Sequence, residues 1–476
     1  MSLVVVLATP LVGAILLVVA RGIAARVLHL LATVLTAAAA GAVAVQVSHA
    51  GSIVALGGLF RADGLSAWMI GLIALVSLLA AIEAPYTVPS AAVGRFRPLF
   101  HLFVFTMLLA VATDDVGLMW VAIEGTTLAS VFLVNLERSR ASLEAAYKYL
   151  LICSVGVAIA FIGTVLVYFA DIHQFGHEAH ALRWTTLVRL APGLPPRVVE
   201  LAFVFLLVGY GTKAGLAPMH TWLPDAHSEA PAPVSALMSG VLLSVGVYAL
   251  VRFKTVVDLS GGPEFTQRLL LALGLTSIAT AAVFLWAPTN YKRMLAYSSI
   301  EHIGVVCLGL GFGGLAGVGG AVLHVANHAL AKSALFVLSG RIRAAYGSAE
   351  ISAVTGLLGT MPVTGGLFLL AMLAIMGLPP FGLFVSEVLI FSAGFQSGHG
   401  IIAATGLLLL VGAFAGLLRN AHRMLYGTPA PAIVDVPGLR SAVPTGLALL
   451  LLTLTGVAWP PGLAAALDHI ARLLGQ

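Results

Sequence analysis

The sequence predicts an all-α integral membrane protein of about fourteen transmembrane helices, with the seventh and twelfth broken and two five-helix blocks repeated in inverted orientation. Three observations carry this expectation. Hydrophobic residues make up 60% of the 476 positions and charged ones 9%, with a mean hydropathy of +1.05, values that soluble chains do not reach. Apolar runs of membrane-spanning length recur with short connections between them. Two short motifs recur five spans apart and both contain functional residue types.

Taken in order, the apolar runs place spans near 3–20, 28–47, 65–82, 98–113, 116–135, 147–170 and 198–216, the last continuing as a broken half to about 230. Seven more follow near 234–253, 268–286, 294–311, 317–339, 362–397 (interrupted at Leu378-Pro379-Pro380), 400–426 and 442–459. The first run has no charged region before it and no small-residue cleavage site, so it reads as a retained span rather than a leader. Segment 51–63 is a loop or a small hairpin, and Pro-rich 190–196 is a loop. The expected blocks are 1–97 (three N-terminal helices), 98–254 (first repeat), 255–426 (second repeat) and 427–476 (the last helix).

Composition also excludes functions. Cys153 and Cys307 both fall in apolar runs and offer no disulfide framework, metal spacing or iron–sulfur spacing, so no cofactor or metal is expected in this chain. The net charge of +5 and a pI near 9.3 do not signal nucleic acid, because the basic residues are scattered through short loops. By span, 14 Lys and Arg fall in loops after odd-numbered helices, Arg440 among them, and 8 on the opposite side. That bias puts both termini outside the cytoplasm. No nucleophile triad, phosphate loop or cofactor fingerprint stands outside the apolar runs, which argues against a stand-alone enzyme.

The same bookkeeping leaves five charges inside the membrane: Glu124, Lys213, Glu301, Lys332 and Glu387. Facing lipid they would cost about 12 to 17 kcal/mol together, so they must face one another or internal water. Glu124 lies within VGLMWVAIEGTTLASVFLV, followed by Gly125, Thr126 and Thr127, small and hydroxylated neighbours suited to close helix approach. Lys213 opens GTKAGLAPMHTWLPDAHSEAPAP, where Pro218 breaks the helix and His220, Asp225, His227 and Glu229 add titratable groups. A proline kink with a snorkelling lysine is the bland reading of that stretch. His324, His328 and Lys332 stand at i, i+4 and i+8, hence on one helical stripe. A single intramembrane histidine is as readily a packing residue, and two at this spacing also suit zinc, but neither a Glu between them nor a third ligand is evident. Finally, Ala122-Ile123-Glu124 recurs as Ser299-Ile300-Glu301, and Gly215-Leu216-Ala217-Pro218 as Gly377-Leu378-Pro379-Pro380. Five spans is an odd offset, which reverses orientation, as inverted repeats with broken helices require.

The stretches WVAIEGTTL, KAGLAPMHTWLPDAHSEAPAPVSALMSGVLL, YKRMLAYSSIEHIG, HVANHALAKSALF and GLPPFGLFVSEVLIF resemble the antiporter-like, proton-conducting subunits of respiratory complex I and the Mrp cation/proton antiporters. The match spans about 60–425. IEGTT and YSSIEHIG look most like the component F branch of hydrogenase-4 and formate hydrogenlyase complexes. The resemblance implies fourteen helices with two inverted repeats, Glu124 and Lys213 as an interacting pair, and Lys332 as a central relay flanked by His324 and His328. It also implies Glu387 as the terminal acid, and Glu144 and Lys148 as charges coupling neighbouring subunits. It departs at Ser244, where many complex I homologues carry lysine, and the chain stops soon after its last span, without the long lateral helix of the largest homologue.

The resulting expectation is a subunit that moves protons or sodium along Glu124, Lys213, His220, Glu301, His324, His328, Lys332 and Glu387 in a prokaryotic cell membrane. Its expected partners are other antiporter-like and small membrane subunits, and peripheral redox subunits holding iron–sulfur, nickel–iron or flavin centres. Two rivals stand beside it: an Mrp-type antiporter subunit with no redox partner, and a proton-inert scaffold for a catalytic arm.

Overall fold

The structure is a computed structural model and describes residues 1–176, 181–428 and 439–474. The expected C-terminal block therefore falls partly outside the described residues, as does the side chain of Arg440. Helices α1 (Ser2–Val19) and α2 (Gly22–Ala50) lead into strands β1 (Ile53–Ala55) and β2 (Phe60–Ala62), paired antiparallel with Ile53 opposite Ala62. Segment 51–63 is thus the hairpin. Next come α3 (Gly64–Thr87), α4 (Val93–Ala112), α5 (Val116–Val134), α6 (Arg140–Phe175), the short α7 (Trp184–Leu190), α8 (Pro196–Ala214) and α9 (Trp222–Glu229). Helix α10 (Ala232–Leu237) continues through a π-helical turn, Met238–Leu242, into α11 (Leu243–Gly261). The chain proceeds through α12 (Glu264–Phe284), α13 (Tyr291–Phe312), α14 (Gly314–Tyr346), α15 (Leu357–Thr360), α16 (Pro362–Ile375), α17 (Gly382–Gln396), α18 (Gly400–Leu425), α19 (Leu439–Val457) and α20 (Leu463–Leu473).

Several starts are written locally. Asp63 accepts from the Ser66 amide to cap α3, Asp115 from the Leu118 amide to cap α5, and Asn290 from the Lys292 and Arg293 amides to cap α13. Ser139 and Ser142 form a reciprocal capping box that starts α6 well before its apolar run. At 36 and 33 residues, α6 and α14 therefore exceed the expected spans 147–170 and 317–339. The helices α7, α15 and α20 lie outside every expected span.

Eleven helices among the described residues are long and apolar enough to cross a membrane; α8, α16, α17 and the apolar part of α19 are not among them. The difference from the expected fourteen lies in these elements: the break at Leu378-Pro379-Pro380 divides one span between α16 and α17, α8 carries Arg197, Glu200 and Lys213 within 19 residues, and α19 borders residues outside those described. The apolar windows of Ala232–Gly261 and α14 are wholly buried and that of α13 is 94% buried, whereas those of α1, α2, α6 and α12 are 39% and that of α18 is 28%. The first three form the centre, and the others turn apolar side chains outward, where lipid replaces protein contacts. Close approach holds the layers together: a Cβ on Gly209 of α8 would meet the Gly156 carbonyl and Ala160 of α6 at 2.5 Å.

Buried charge is not confined to the five positions expected within the membrane. Glu83, Asp171, Arg252, Lys254, Lys292 and Arg341 are also buried. Glu83 accepts two hydrogen bonds from Arg341, each 2.6 Å, joining α3 to α14. Arg252 donates to both Asp63 oxygens at 2.7 and 2.8 Å. Glu83–Arg341 and Asp63–Arg252 bring together residues distant in sequence, whereas Lys254 pairs with Asp258 one turn on and Lys292 donates to the Ser228 and Ala230 carbonyls.

Candidate functional site

Both helix breaks end in the same backbone motif. At the first, the Leu216 amide donates to the Gly211 carbonyl and the Gly215 amide to the Thr212 carbonyl. At the second, Leu378 donates to Leu373 and Gly377 to Ala374. These are the two bonds of a Schellman cap, and they need a left-handed residue, which Gly215 at φ +76° and Gly377 at φ +67° supply. The repeated Gly-Leu is therefore a helix terminator, with Pro218, Pro379 and Pro380 following where the chain has already left the helix; all three prolines are exposed. Lys213 occupies the last helical turn of α8, at the negative end of the helix dipole, a position that favours a cation. Ile375 holds the corresponding place in α16.

In the first half, the fully buried Lys213 ammonium donates to Thr127 Oγ1 at 2.8 Å and to Tyr149 OH at 2.9 Å. Tyr149 OH also pairs with Ser130 Oγ at 2.7 Å. Glu124, one turn before Thr127 on α5, accepts from Ser154 Oγ at 2.7 Å, and its Oε2 has no partner among the described residues. The implied Glu124–Lys213 pair is therefore not a direct ion pair: their charges act on one another, but hydroxyls of Thr127 and Tyr149 hold the ammonium. Trp222, the first residue of α9, packs at a tilt against the Tyr149 ring, centroids 4.8 Å apart, and donates its indole N–H to the Thr212 carbonyl at 2.9 Å, folding the broken half back over the lysine.

In the second half, Lys332 donates to the Leu295 carbonyl at 2.7 Å and to Ser298 Oγ on α13. Glu301 lies one turn beyond Ser298, close enough for its charge to act on Lys332 without an ion pair. His324, His328 and Lys332 are all 0% exposed along α14. His324 Nε2 meets His302 Nδ1 at 3.0 Å and its Nδ1 meets Ser386 Oγ at 2.9 Å, while the His302 and His328 rings lie 5.4 Å apart. Glu387 brings a carboxylate oxygen into the same group, with the three ligand-type atoms of His302, His324 and Glu387 within 4.8 Å of one another. His328 contributes nothing to that group, so the i, i+4 zinc pairing is not what the fold assembles.

His220 stands apart in the first break, edge-on to Tyr297 at 6.3 Å, with Nδ1 unpartnered. Glu144 and Lys148 form an exposed i, i+4 pair at 2.7 Å, and Lys148 reaches Asp225 of α9 at 3.1 Å. Arg293 of α13 bonds the other Asp225 oxygen, so this patch ties α6, α9 and α13 together. Asp225 and Glu387 both stand ten residues after their break glycine. At the opposite end of α11, burial raises the Asp63 carboxyl, but the Arg252 charge, its hydrogen bonds and the Ser66 amide outweigh it and hold the group below its usual range.

The residues that the sequence passed over are Tyr149, Ser154, His302, Ser298 and Ser386, while Thr127 stood out only as a small hydroxylated neighbour of Glu124. Only His302 carried a signal, standing next to Glu301; the hydroxyls look like ordinary helix residues until their helices are packed. Ser244, the departure from the resemblance, is buried with its Oγ unpartnered beside a small, mostly apolar cavity of about 30 Å³.

Fold and site define a multi-pass membrane protein whose interior carries two buried lysines, each flanked by a carboxylate and by groups able to exchange protons. A family described as NADH:quinone oxidoreductase/Mrp antiporter, TM, matches residues 113–412, and the chain belongs to this family. It is 38% identical over 382 residues to a hydrogenase-4 component F homolog of Methylacidiphilum infernorum (isolate V4), covering 80% of this chain and 79% of that one. Among solved structures, it superposes on a chain of the membrane-bound sulfane sulfur reductase, an archaeal respiratory membrane complex, with TM-score 0.90 and 25% identity over 99% and 97% of the two chains. It also superposes on a chain of respiratory complex I from Thermus thermophilus, with TM-score 0.85 and 26% identity over the full length of both.

Proposed function

We propose that this chain moves protons across a prokaryotic cell membrane as a subunit of a hydrogenase-4-like or complex I-like oxidoreductase. The observation that carries the reading is that two of the buried lysines, Lys213 and Lys332, are each held by neutral oxygen atoms and each have a carboxylate one helical turn from a partner, Glu124 from Thr127 and Glu301 from Ser298. A lysine locked in an ion pair stays charged; one held by hydroxyls and carbonyls changes state when its surroundings shift. Driving one charge against 100 mV takes about 2.3 kcal/mol, and a hydrogen bond to a charged group contributes about 1.5 to 3 kcal/mol. Exchanging the partners of Lys213 is thus a change of adequate size.

The path runs from Glu124 through Ser154, Tyr149 and Lys213, then through Lys332, Glu301 and the His324–His302–Ser386 chain to Glu387, with His328 beside it. The two arms are inverted five-helix repeats, 98–254 and 255–426, a reading supported by their matching helix breaks. His220 lies at the first break as a side entry. Glu144, Lys148, Asp225 and Arg293 link the broken helix α9 to the surface where a neighbouring membrane subunit transmits its state. Iron–sulfur, nickel–iron or flavin centres belong to peripheral partner subunits, and both termini face away from the cytoplasm.

The test uses inverted vesicles carrying the assembled complex, a pH-sensitive dye, a sodium probe and a candidate electron donor. Donor-dependent acidification that Lys213→Ala abolishes, with the complex still assembled, supports the proposal. An unchanged gradient in that variant favours an inert scaffold, and proton movement driven solely by an imposed sodium gradient favours an antiporter without redox partner.

A further inference from the structure

On the membrane face where α2 and α4 begin and α3 ends, the structure holds a recess of about 730 Å³ that the ion path does not use. Arg26 of α2 and Arg97 of α4 line it, together with His29, Ser90 and Tyr86, and no acidic residue does. The two guanidinium groups are close enough for their charges to repel, and neither has a hydrogen-bond partner among the described residues. Glu83 is nearby in sequence, but both its oxygens are taken by Arg341. His29 is 3% exposed. Its Nδ1 pairs with His101 Nε2 at 2.9 Å, and its Nε2 has no partner. With His101 donating, His29 carries its proton on Nε2, a buried donor without an acceptor at the recess floor.

Two unpaired arginines and an unpartnered ring nitrogen, a donor in the tautomer where His101 donates to His29, suit a multivalent anion of phosphate chemistry. The walls say which source. Leu30, Ile82, Val93 and Phe96 make the rest of the lining apolar. From the recess, Val27, Leu30, Leu31, Val34 and Leu35 follow one another along α2 at i, i+3, i+4, i+7 and i+8, each between 38% and 55% exposed. A free phosphate has no use for such a stripe, whereas an acyl chain lies along it. We propose that Arg26, Arg97 and His29 bind the phosphate headgroup of an anionic phospholipid whose chain runs down the outer face of α2.

The proposal is tested on the full chain and on the assembled complex in nanodiscs of phosphatidylcholine with a minor share of cardiolipin or phosphatidylglycerol, with bound lipid read by native mass spectrometry. The variants are Arg26→Ala/Arg97→Ala, the charge-retaining Arg26→Lys/Arg97→Lys, and Arg419→Ala as a basic control on the same face; thermal unfolding reports that each is folded. The expected result is one retained anionic lipid in wild type and in Arg419→Ala, held about thirtyfold more weakly by the double alanine variant and restored in part by the lysines. Equal retention by wild type and the double alanine variant overturns the proposal. So does displacement of the lipid by millimolar inorganic phosphate, which marks a free-anion site. Retention by the isolated chain but not by the complex also overturns it, since a partner's acidic segment then fills the recess.

Discussion

The two halves of the molecule bury the same kind of charge by different means. In the first, Lys213 sits in the last turn of a helix, its ammonium held by the hydroxyls of Thr127 and Tyr149. In the second, Lys332 sits in mid-helix, held by a backbone carbonyl of Leu295 and by Ser298, at the foot of a cluster of three histidines. A hydroxyl such as that of Tyr149 both donates and accepts, whereas a carbonyl only accepts. In the proposed path the first half uses the two hydroxyls that hold its lysine, Thr127 and Tyr149, whereas the second, whose lysine rests on one hydroxyl and one carbonyl, also uses imidazoles. Elsewhere the molecule pairs its buried charges directly, as at Glu83–Arg341, and these pairs clamp helices rather than conduct.

The largest effect is expected where the halves are compared directly. If they act in series, Lys213→Ala and Lys332→Ala each lower donor-driven proton movement about a hundredfold or more in assembled complex. Full loss in one with retention in the other would break the series. Next comes a clamp: Glu83→Gln leaves Arg341 buried without its counter-charge and destabilises the chain by about 3 to 5 kcal/mol, read as a lower thermal midpoint and poorer assembly. Lys148→Ala, at an exposed pair, leaves that midpoint unchanged.

Finer differences follow. Tyr149→Phe removes the first half's relay hydroxyl and slows transport about tenfold, through loss of a hydrogen bond to a charged group. Ser298→Ala, which leaves the Leu295 carbonyl in place, has a smaller effect; equal effects would erase the distinction drawn between the halves. Asp63 gives a pH signature. Its carboxyl is held below the usual range, so its stabilisation is present above the unfolded-state value and is lost as pH falls through the folded one. Asp63→Asn should flatten the acid limb of the stability curve measured by thermal unfolding. Smallest of all, Ser244→Ala leaves transport unchanged, because its Oγ has no partner among the described residues; a clear loss would place a water link at that point.

Hydrophobic runs, glycine–leucine helix stops and the stripe His324, His328 and Lys332 are properties of neighbouring residues, so the sequence by itself determined the membrane class, the positions of both breaks and the charged candidates. It also determined the family, since the motifs around Glu124, Lys213 and Lys332 are contiguous. What holds each lysine was decided only by tertiary structure. Tyr149 and Lys213 lie on different helices, as do Ser298 and Lys332, and nothing local marks a serine or tyrosine as the partner of a buried ammonium. The same reason hid the clamps: Glu83 and Arg341 are 258 residues apart, and their charges cancel only once α3 packs on α14. Periodicity reports which face of a helix is apolar; it does not report what that face meets.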